Sequence, residues 1–86
     1  MGLEEIKYKY ITALQEEIEE IDFSTINCNE PIVEKYGINS FYIVQMVICA
    51  EDIFDIFFED EELITTNYKT LNDIFIVIQK KIEEAD

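Results

Sequence analysis

The chain has 86 residues and carries 20 acidic side chains against six lysines, which gives a formal net charge of −14 with no arginine and no histidine. Its length predicts one small domain over residues 1–86. The negative charge disfavours nucleic-acid binding and favours protein partners with basic patches. Without histidine, Ser-His and Cys-His nucleophile pairs are excluded, and we expect neither enzyme activity nor a metal site.

The cysteines and the first residues predict a cytoplasmic protein. Cys28 and Cys49 have no paired spacing, and Cys49 lies within an apolar run, as a buried free thiol would in a reducing compartment. The opening MGLEEIKYKY carries acids where a signal peptide has lysines, and Ile6 stands where a myristoylation signal has Ser or Thr. No apolar segment reaches the ~20 residues that span a bilayer, so we expect no membrane association.

The first half of the chain predicts one helix and a long connection. Apolar residues recur at helical spacing over residues 3–20, with Glu and Lys on the opposite face. Residues 22–37 are rich in turn and cap formers, with one short helical turn possible after Pro31. Side chains in this connection that can anchor it on the core are Phe23, Ile26, Ile32 and Val33.

The second half predicts two further helices. Gly37 supplies backbone freedom, and either Asn39 or Ser40 caps a second helix that runs to about Phe57. Residues 59–70 form a short helix or an irregular turn, and Thr70 caps a last helix over residues 71–84. The fold class is therefore all-α: a small acidic four-helix bundle of three main helices plus one short helix. A strand over residues 53–58 is a weaker alternative, because the nearby acids fit a helix face better.

The second helix is apolar on two faces. One stripe can dock the helix on its neighbours and comprises Ile43, Met46, Val47, Ala50 and Phe54. A second stripe of Phe41, Val44 and Ile48 leads from Ser40 to the acids Glu51, Asp52 and Asp55. One interpretation is a central helix buried all round. The other is that the second stripe is exposed and docks a partner.

Ser40 also has two interpretations. A serine at a helix N-terminus is most often only a cap, although Ile43 is not the Glu or Gln of a capping box. Alternatively, its hydroxyl lies at the positive end of the helix, where a phosphate ester is stabilised by about 0.3–1 kcal/mol.

The stretch Gly37-Ile38-Asn39-Ser40-Phe41 resembles the Gly-X-Asp-Ser-Leu turn that opens the second helix in the acyl carrier protein family, whose members are small acidic four-helix bundles. The likeness extends to nearly the whole chain. It continues through Pro31-Ile32-Val33-Glu34-Lys35-Tyr36, through Val47, Ala50, Glu51 and Phe54, and through Thr70-Leu71-Asn72-Asp73-Ile74.

The resemblance implies a function for Ser40. A phosphopantetheinyl transferase would join 4′-phosphopantetheine from coenzyme A to its hydroxyl, and the thiol of that arm would hold acyl or aminoacyl groups as thioesters. Ser40 would be an attachment point, with the base and the metal supplied by the transferase. We therefore predict a stand-alone, monomeric carrier that serves a loading enzyme and downstream synthases or transferases in fatty-acid, polyketide or nonribosomal peptide biosynthesis.

Two departures from the family pattern bear on partners and pathway. Asn39 replaces the acid before the serine, and Phe41 replaces the leucine after it. Tyr42 and Gln45 stand where charges are frequent in the family. We expect a partner to dock more through Phe41, Tyr42, Val44 and Ile48 than through charge, and the wider expected contact set adds Asn39, Glu51, Asp52 and Asp55. The loss of the acid favours a secondary pathway over housekeeping fatty-acid synthesis.

Two other classes of protein compete with this reading. A calcium sensor needs alternating acids and a central glycine, and neither EDIFDIFFEDEE nor DFSTINCNE has that glycine. The serious alternative is a non-catalytic helical adaptor that binds a partner helix through Phe41, Val44 and Ile48, with Ser40 only a helix cap.

Overall fold

The computed structural model describes residues 1–85 and contains four α-helices, Leu3–Glu17 (α1), Ile32–Tyr36 (α2), Ser40–Phe54 (α3) and Leu71–Ala85 (α4). Three 3₁₀ helices lie in the connections, at Phe23–Thr25, Asp60–Leu63 and Thr65–Asn67. The prediction of an all-α fold is confirmed, and the alternative of a strand over residues 53–58 is wrong. None of the helices in this range is both long enough and apolar enough to cross a membrane.

The core lies between α1, α3 and α4, which pack against one another in pairs. Each contributes the apolar stripe that its periodicity predicts, and on α3 the buried members are Ile43, Met46, Val47 and Ala50. The Tyr10 ring meets the Phe75 ring edge-on, with centroids 5.9 Å apart. The Cα radius of gyration is 11.9 Å, close to the ~12 Å expected of a folded domain of this length.

Helix α1 ends at Glu17, three residues before the predicted end. The Gln15 side chain explains the early stop, because its amide nitrogen donates to the Ile21 carbonyl at 2.7 Å and its oxygen accepts from the Phe23 backbone at 2.9 Å. These two bonds hold the chain in a turn that a continuing helix would break. The apolar side chain of Ile18 is nevertheless buried just beyond the helix.

The long connection after α1 is held by its own anchors and by the other connection. Phe23, Ile26 and Ile32 are buried as predicted, whereas Val33 is 46% exposed and its prediction as an anchor is wrong. Val33 lies on the outer face of the short helix α2, one position beyond the buried Ile32. Backbone hydrogen bonds join Ile32 N to Lys69 O at 2.9 Å and Asn72 N to Cys28 O at 3.2 Å.

Gly37 ends α2 with a left-handed backbone, at φ 68° and ψ 22°. The next amide, Ile38 N, donates to Ile32 O at 3.1 Å, and Gly37 N donates to Val33 O at 3.0 Å. The bond from Gly37 N to Val33 O is the αL type of helix C-cap, in which glycine avoids the steric cost that a Cβ meets at positive φ. The predicted backbone freedom at Gly37 is therefore used to turn the chain into α3.

Helix α3 ends at Phe54 and not near Phe57, because Asp55 adopts a left-handed conformation at φ 53° and ψ 50°. The segment 59–70 contains two 3₁₀ helices, so the fourth α-helix of the fold is α2. The first of these 3₁₀ helices, Asp60–Leu63, carries a reciprocal cap between Glu59 and Glu62. Lys81 of α4 holds it through a 2.6 Å ion pair with Glu62.

The predicted cap of α4 is confirmed. The Thr70 hydroxyl accepts from Asp73 N at 3.3 Å, and Asp73 Oδ2 accepts from Thr70 N at 3.0 Å. This reciprocal arrangement satisfies two backbone donors that a helix N-terminus otherwise leaves without partners.

Candidate functional site

Ser40 is the first residue of α3, and its side chain is exposed. The cap is its neighbour Asn39, whose side-chain oxygen accepts from Tyr42 N at 3.3 Å. Of the two predicted cap residues, Asn39 therefore has the capping role. Ser40 is the first residue inside the helix and not its N-cap.

The N-terminus of α3 presents positive charge to the Ser40 hydroxyl. The first turn contains no acidic residue, so the partial positive charge of its backbone N–H groups has no carboxylate to offset it there. An acid at position 39, as in the Gly-X-Asp-Ser-Leu turn, would place a full negative charge at the N-terminus of α3. Asn39 keeps the cap without that charge, which leaves the helix end better suited to an anionic group.

A cavity of about 380 Å³ opens beside Ser40, between α2, α3 and the segment that precedes α4. Its apolar lining comes from Val33, Ile43 and Tyr68, and the charged residues Glu34 and Lys69 also line it. Lys69 is held in place by its backbone, whose N–H donates to Asp73 Oδ2 at 2.9 Å and whose carbonyl accepts from Ile32. Sequence reasoning missed Tyr68 and Lys69, because only the path of residues 59–70 brings them to Ser40.

The second stripe of α3 is open to solvent. Phe41 is 64% exposed, Val44 41% and Ile48 50%. The interpretation of α3 as a helix buried all round is therefore wrong. We call Phe41, Val44 and Ile48 the apolar strip. Tyr42 beside it is partly buried, with its ring edge-on to Phe41 and its hydroxyl donating to Glu20 at 3.4 Å.

The three predicted acids at the far end of α3 have different surroundings. Asp52 and Asp55 are exposed. Glu51 is partly buried, and its carboxylate accepts from Phe58 N at 2.9 Å. Glu51 thus holds the turn after α3, so its side chain has a structural role that the other two acids lack.

The two cysteines are free thiols, as predicted. Cys49 is buried, and this burial, with smaller contributions from the negative charges of Glu17 and Asp52, raises its pKa to about 11. The thiol is therefore protonated near neutral pH and is a poor nucleophile. Within residues 1–85, no three or more Cys, Asp or Glu side chains are grouped so as to hold a metal ion.

Comparison of the chain with protein-family models, with curated proteins and with solved structures gave no match. The geometry around Ser40 and the apolar strip is therefore the basis for inferring a function.

Proposed function

We propose that this chain is a stand-alone acyl carrier protein with 4′-phosphopantetheine attached to Ser40. The observation that carries the proposal is the division of roles at the start of α3. Asn39 makes the cap, so the exposed hydroxyl of Ser40 stands at a positive helix end without a capping task. A phosphodiester on that oxygen gains from the helix dipole and the backbone N–H groups.

The attachment step needs little chemistry from this chain. A transferase brings coenzyme A, the Ser40 oxygen forms a bond to the phosphorus next to pantetheine, and the pyrophosphate P–O bond breaks to release the nucleotide half. The hydroxyl proton passes to a base of the transferase, which fits a chain without histidine. The attached arm supplies a thiol that holds acyl or aminoacyl groups as thioesters.

The surroundings of Ser40 fit such an arm. The cavity beside it has apolar walls from Val33, Ile43 and Tyr68, which suit the carbon chain of the arm or its cargo. Lys69 lines the same cavity and could pair with a phosphodiester, while Glu34 is an acid in the same lining. The main electrostatic support for an anionic group on Ser40 is therefore the helix N-terminus.

The apolar strip gives the partner enzymes a place to dock. Its three side chains lie on the same face of α3 and begin one residue after Ser40. An exposed apolar patch with acids at its end resembles a protein-binding surface, with an apolar centre and a polar rim. A partner held there lies within reach of a group carried on Ser40.

Incubation with coenzyme A, Mg²⁺ and a broad-specificity phosphopantetheinyl transferase tests the proposal. Intact-mass spectrometry should show one added phosphopantetheinyl group, and peptide mapping should locate it on Ser40. Ser40→Ala should remain unmodified. Ser24→Ala is the matched control and should be modified like the wild type, because Ser24 is the other serine of the chain. A wild-type chain that stays at its starting mass would leave the adaptor function, with the apolar strip binding a partner helix.

A further inference from the structure

A second concave surface lies between α1 and α3, away from Ser40. It is a groove of about 440 Å³. Ala13, Ile48 and Ile53 contribute apolar lining, and Glu16, Glu17 and Asp52 contribute carboxylates. Ile48 and Ile53 are 50% and 37% exposed, so the apolar surface of the groove is open to a visitor.

The carboxylates lie on both walls of this groove. Glu17 belongs to α1 and Asp52 to α3, and the negative charge of each helps to raise the pKa of the Cys49 thiol on the groove lining. Because Glu17 and Asp52 influence the same thiol from different helices, their carboxylates face the same groove. No lysine is among the side chains that line the groove in the described part of the chain. The groove is therefore complementary to a cation.

The shape and the charge of the groove together indicate what kind of ligand it binds. A second copy of this chain carries the same net charge of −14 and is repelled, and nucleic acid is repelled for the same reason. An apolar floor between acidic walls fits a ligand with an apolar face flanked by Lys or Arg. In a helix these features recur every three to four residues. The lining runs over residues 13–18 on one wall and residues 45–53 on the other, which corresponds to about two turns of helix.

We propose that the groove between α1 and α3 binds a cationic amphipathic helix of a partner protein. The proposal goes beyond a carrier function, because the groove does not include Ser40 or Phe41 and needs no phosphopantetheine. It shares Ile48 with the apolar strip, so the two surfaces adjoin. A partner helix in the groove lies across α1 and leaves Phe41 and the Ser40 hydroxyl uncovered.

A synthetic peptide tests this inference directly. The probe is an amphipathic helix of Lys and Leu with one Trp on its apolar face, and an otherwise identical peptide with Glu for Lys is the control. Because the protein has no Trp, tryptophan fluorescence reports only on the peptide. We expect saturable binding of the cationic peptide by the full chain with a blue shift, and none for the acidic peptide. Amide resonances of Ala13, Ile48 and Ile53 should shift on binding.

Matched variants separate the groove from general charge attraction. Glu17→Gln with Asp52→Asn should raise the peptide Kd about tenfold, since each groove wall loses one carboxylate. Glu83→Gln with Glu84→Gln removes the same charge from exposed positions on α4 and should raise it less than twofold. Ala13→Leu keeps the charge but fills the groove, and should also weaken binding.

Several results would overturn the inference. They are absence of saturable binding, equal weakening by the two charge-matched double variants, or resonance shifts centred on Phe41 and Val44 with none at Ala13 and Ile53. Circular dichroism of each variant checks that the helices are intact. The peptide test uses the chain without coenzyme A, so its outcome is separate from modification of Ser40.

Discussion

The hydroxyl of Tyr10 donates a 2.6 Å hydrogen bond to the backbone carbonyl of Met46 and so joins the middle of α1 to the middle of α3. Both residues are fully buried. A buried hydroxyl without a partner costs roughly 1–3 kcal/mol, so this bond favours one register of α1 on α3 over its neighbours. The helix that carries Ser40 and the apolar strip is thereby positioned from the core side.

Tyr10→Phe should destabilise the protein by about 1 kcal/mol, the usual net value of one hydrogen bond, because the ring and its packing against Phe75 remain. Urea unfolding followed by circular dichroism measures the change. Tyr8→Phe is the matched control, since Tyr8 is 75% exposed and its substitution should change stability by only a few tenths of a kcal/mol. Equal effects of the two substitutions would contradict the role of the bond.

Stability should fall at alkaline pH, and Tyr10 should account for part of the fall. Burial raises the pKa of Tyr10 well above its usual 10.0, with smaller contributions from Cys49 and Tyr68. The folded state therefore holds a proton that the unfolded chain releases, so the stabilisation is complete below pH 10 and decreases as the pH rises above it. Urea midpoints between pH 8 and 11 should decline less steeply in Tyr10→Phe. The raised pKa values of Cys49 and Tyr68 should leave some slope, whereas a slope equal to that of the wild type would exclude a contribution from Tyr10.

Asp55→Gly should stabilise the fold by about 1 kcal/mol, because Asp55 has φ 53° and a side chain in the left-handed region costs about that much. The substitution also removes a carboxylate from the negative end of α3. Thermal and urea unfolding measure the gain. Asp52→Gly is the control, since Asp52 lies within the last turns of α3 and glycine there should destabilise. A loss of stability in Asp55→Gly would contradict the strain argument.

The apolar strip should matter more for partners than the acids do. Phe41→Ala and Ile48→Ala should each lower kcat/KM for transferase loading about tenfold or more, because both side chains belong to the apolar strip and are half exposed or more. Asp55→Asn should change it less than threefold, as expected of a charge at the rim. Glu51 is unsuitable for this comparison, since its carboxylate also holds Phe58 N. If Asp55→Asn had the larger effect, docking through charge would replace docking through the strip.

Lys69 should assist loading of Ser40 through its charge. It lines the same cavity as Ser40, and coenzyme A arrives as an anion. Lys69→Glu should raise KM for loading several-fold with a smaller change in kcat, and increasing salt should reduce the difference. Lys80→Glu makes the same change of charge at an exposed position on α4 and serves as the control. Equal effects of the two variants would show only a response to net charge.

The sequence predicted the parts of this fold that depend on local periodicity. The buried stripes of α1, α3 and α4 follow from apolar spacing, and the exposed strip follows from having more apolar residues on α3 than one face can hold. Helix ends were less predictable, because they depend on side chains that reach across several residues. Gln15 stops α1 by binding beyond it, and Asp55 stops α3 through its own backbone conformation.

Of the candidate site, only the helix start that carries Ser40 was predictable. Gly37, Asn39 and Ser40 lie within four consecutive positions and identify this helix start. Val33 lines the same cavity from α2 and Lys69 lines it from the connection before α4, and no spacing rule relates their positions in the sequence. The groove between α1 and α3 was missed for the same reason, because its walls, residues 13–18 and 45–53, are far apart along the chain.

The hydrogen bonds from Ile32 to Lys69 and from Asn72 to Cys28 have a consequence for protein engineering. They join the connection that leads into α2 to the connection that leads into α4, at the end of the molecule that bears Ser40. A chimera that imports one loop from another helical protein leaves these backbone groups mismatched, even if every helix is retained. Successful grafting requires both loops to be transplanted as a single unit.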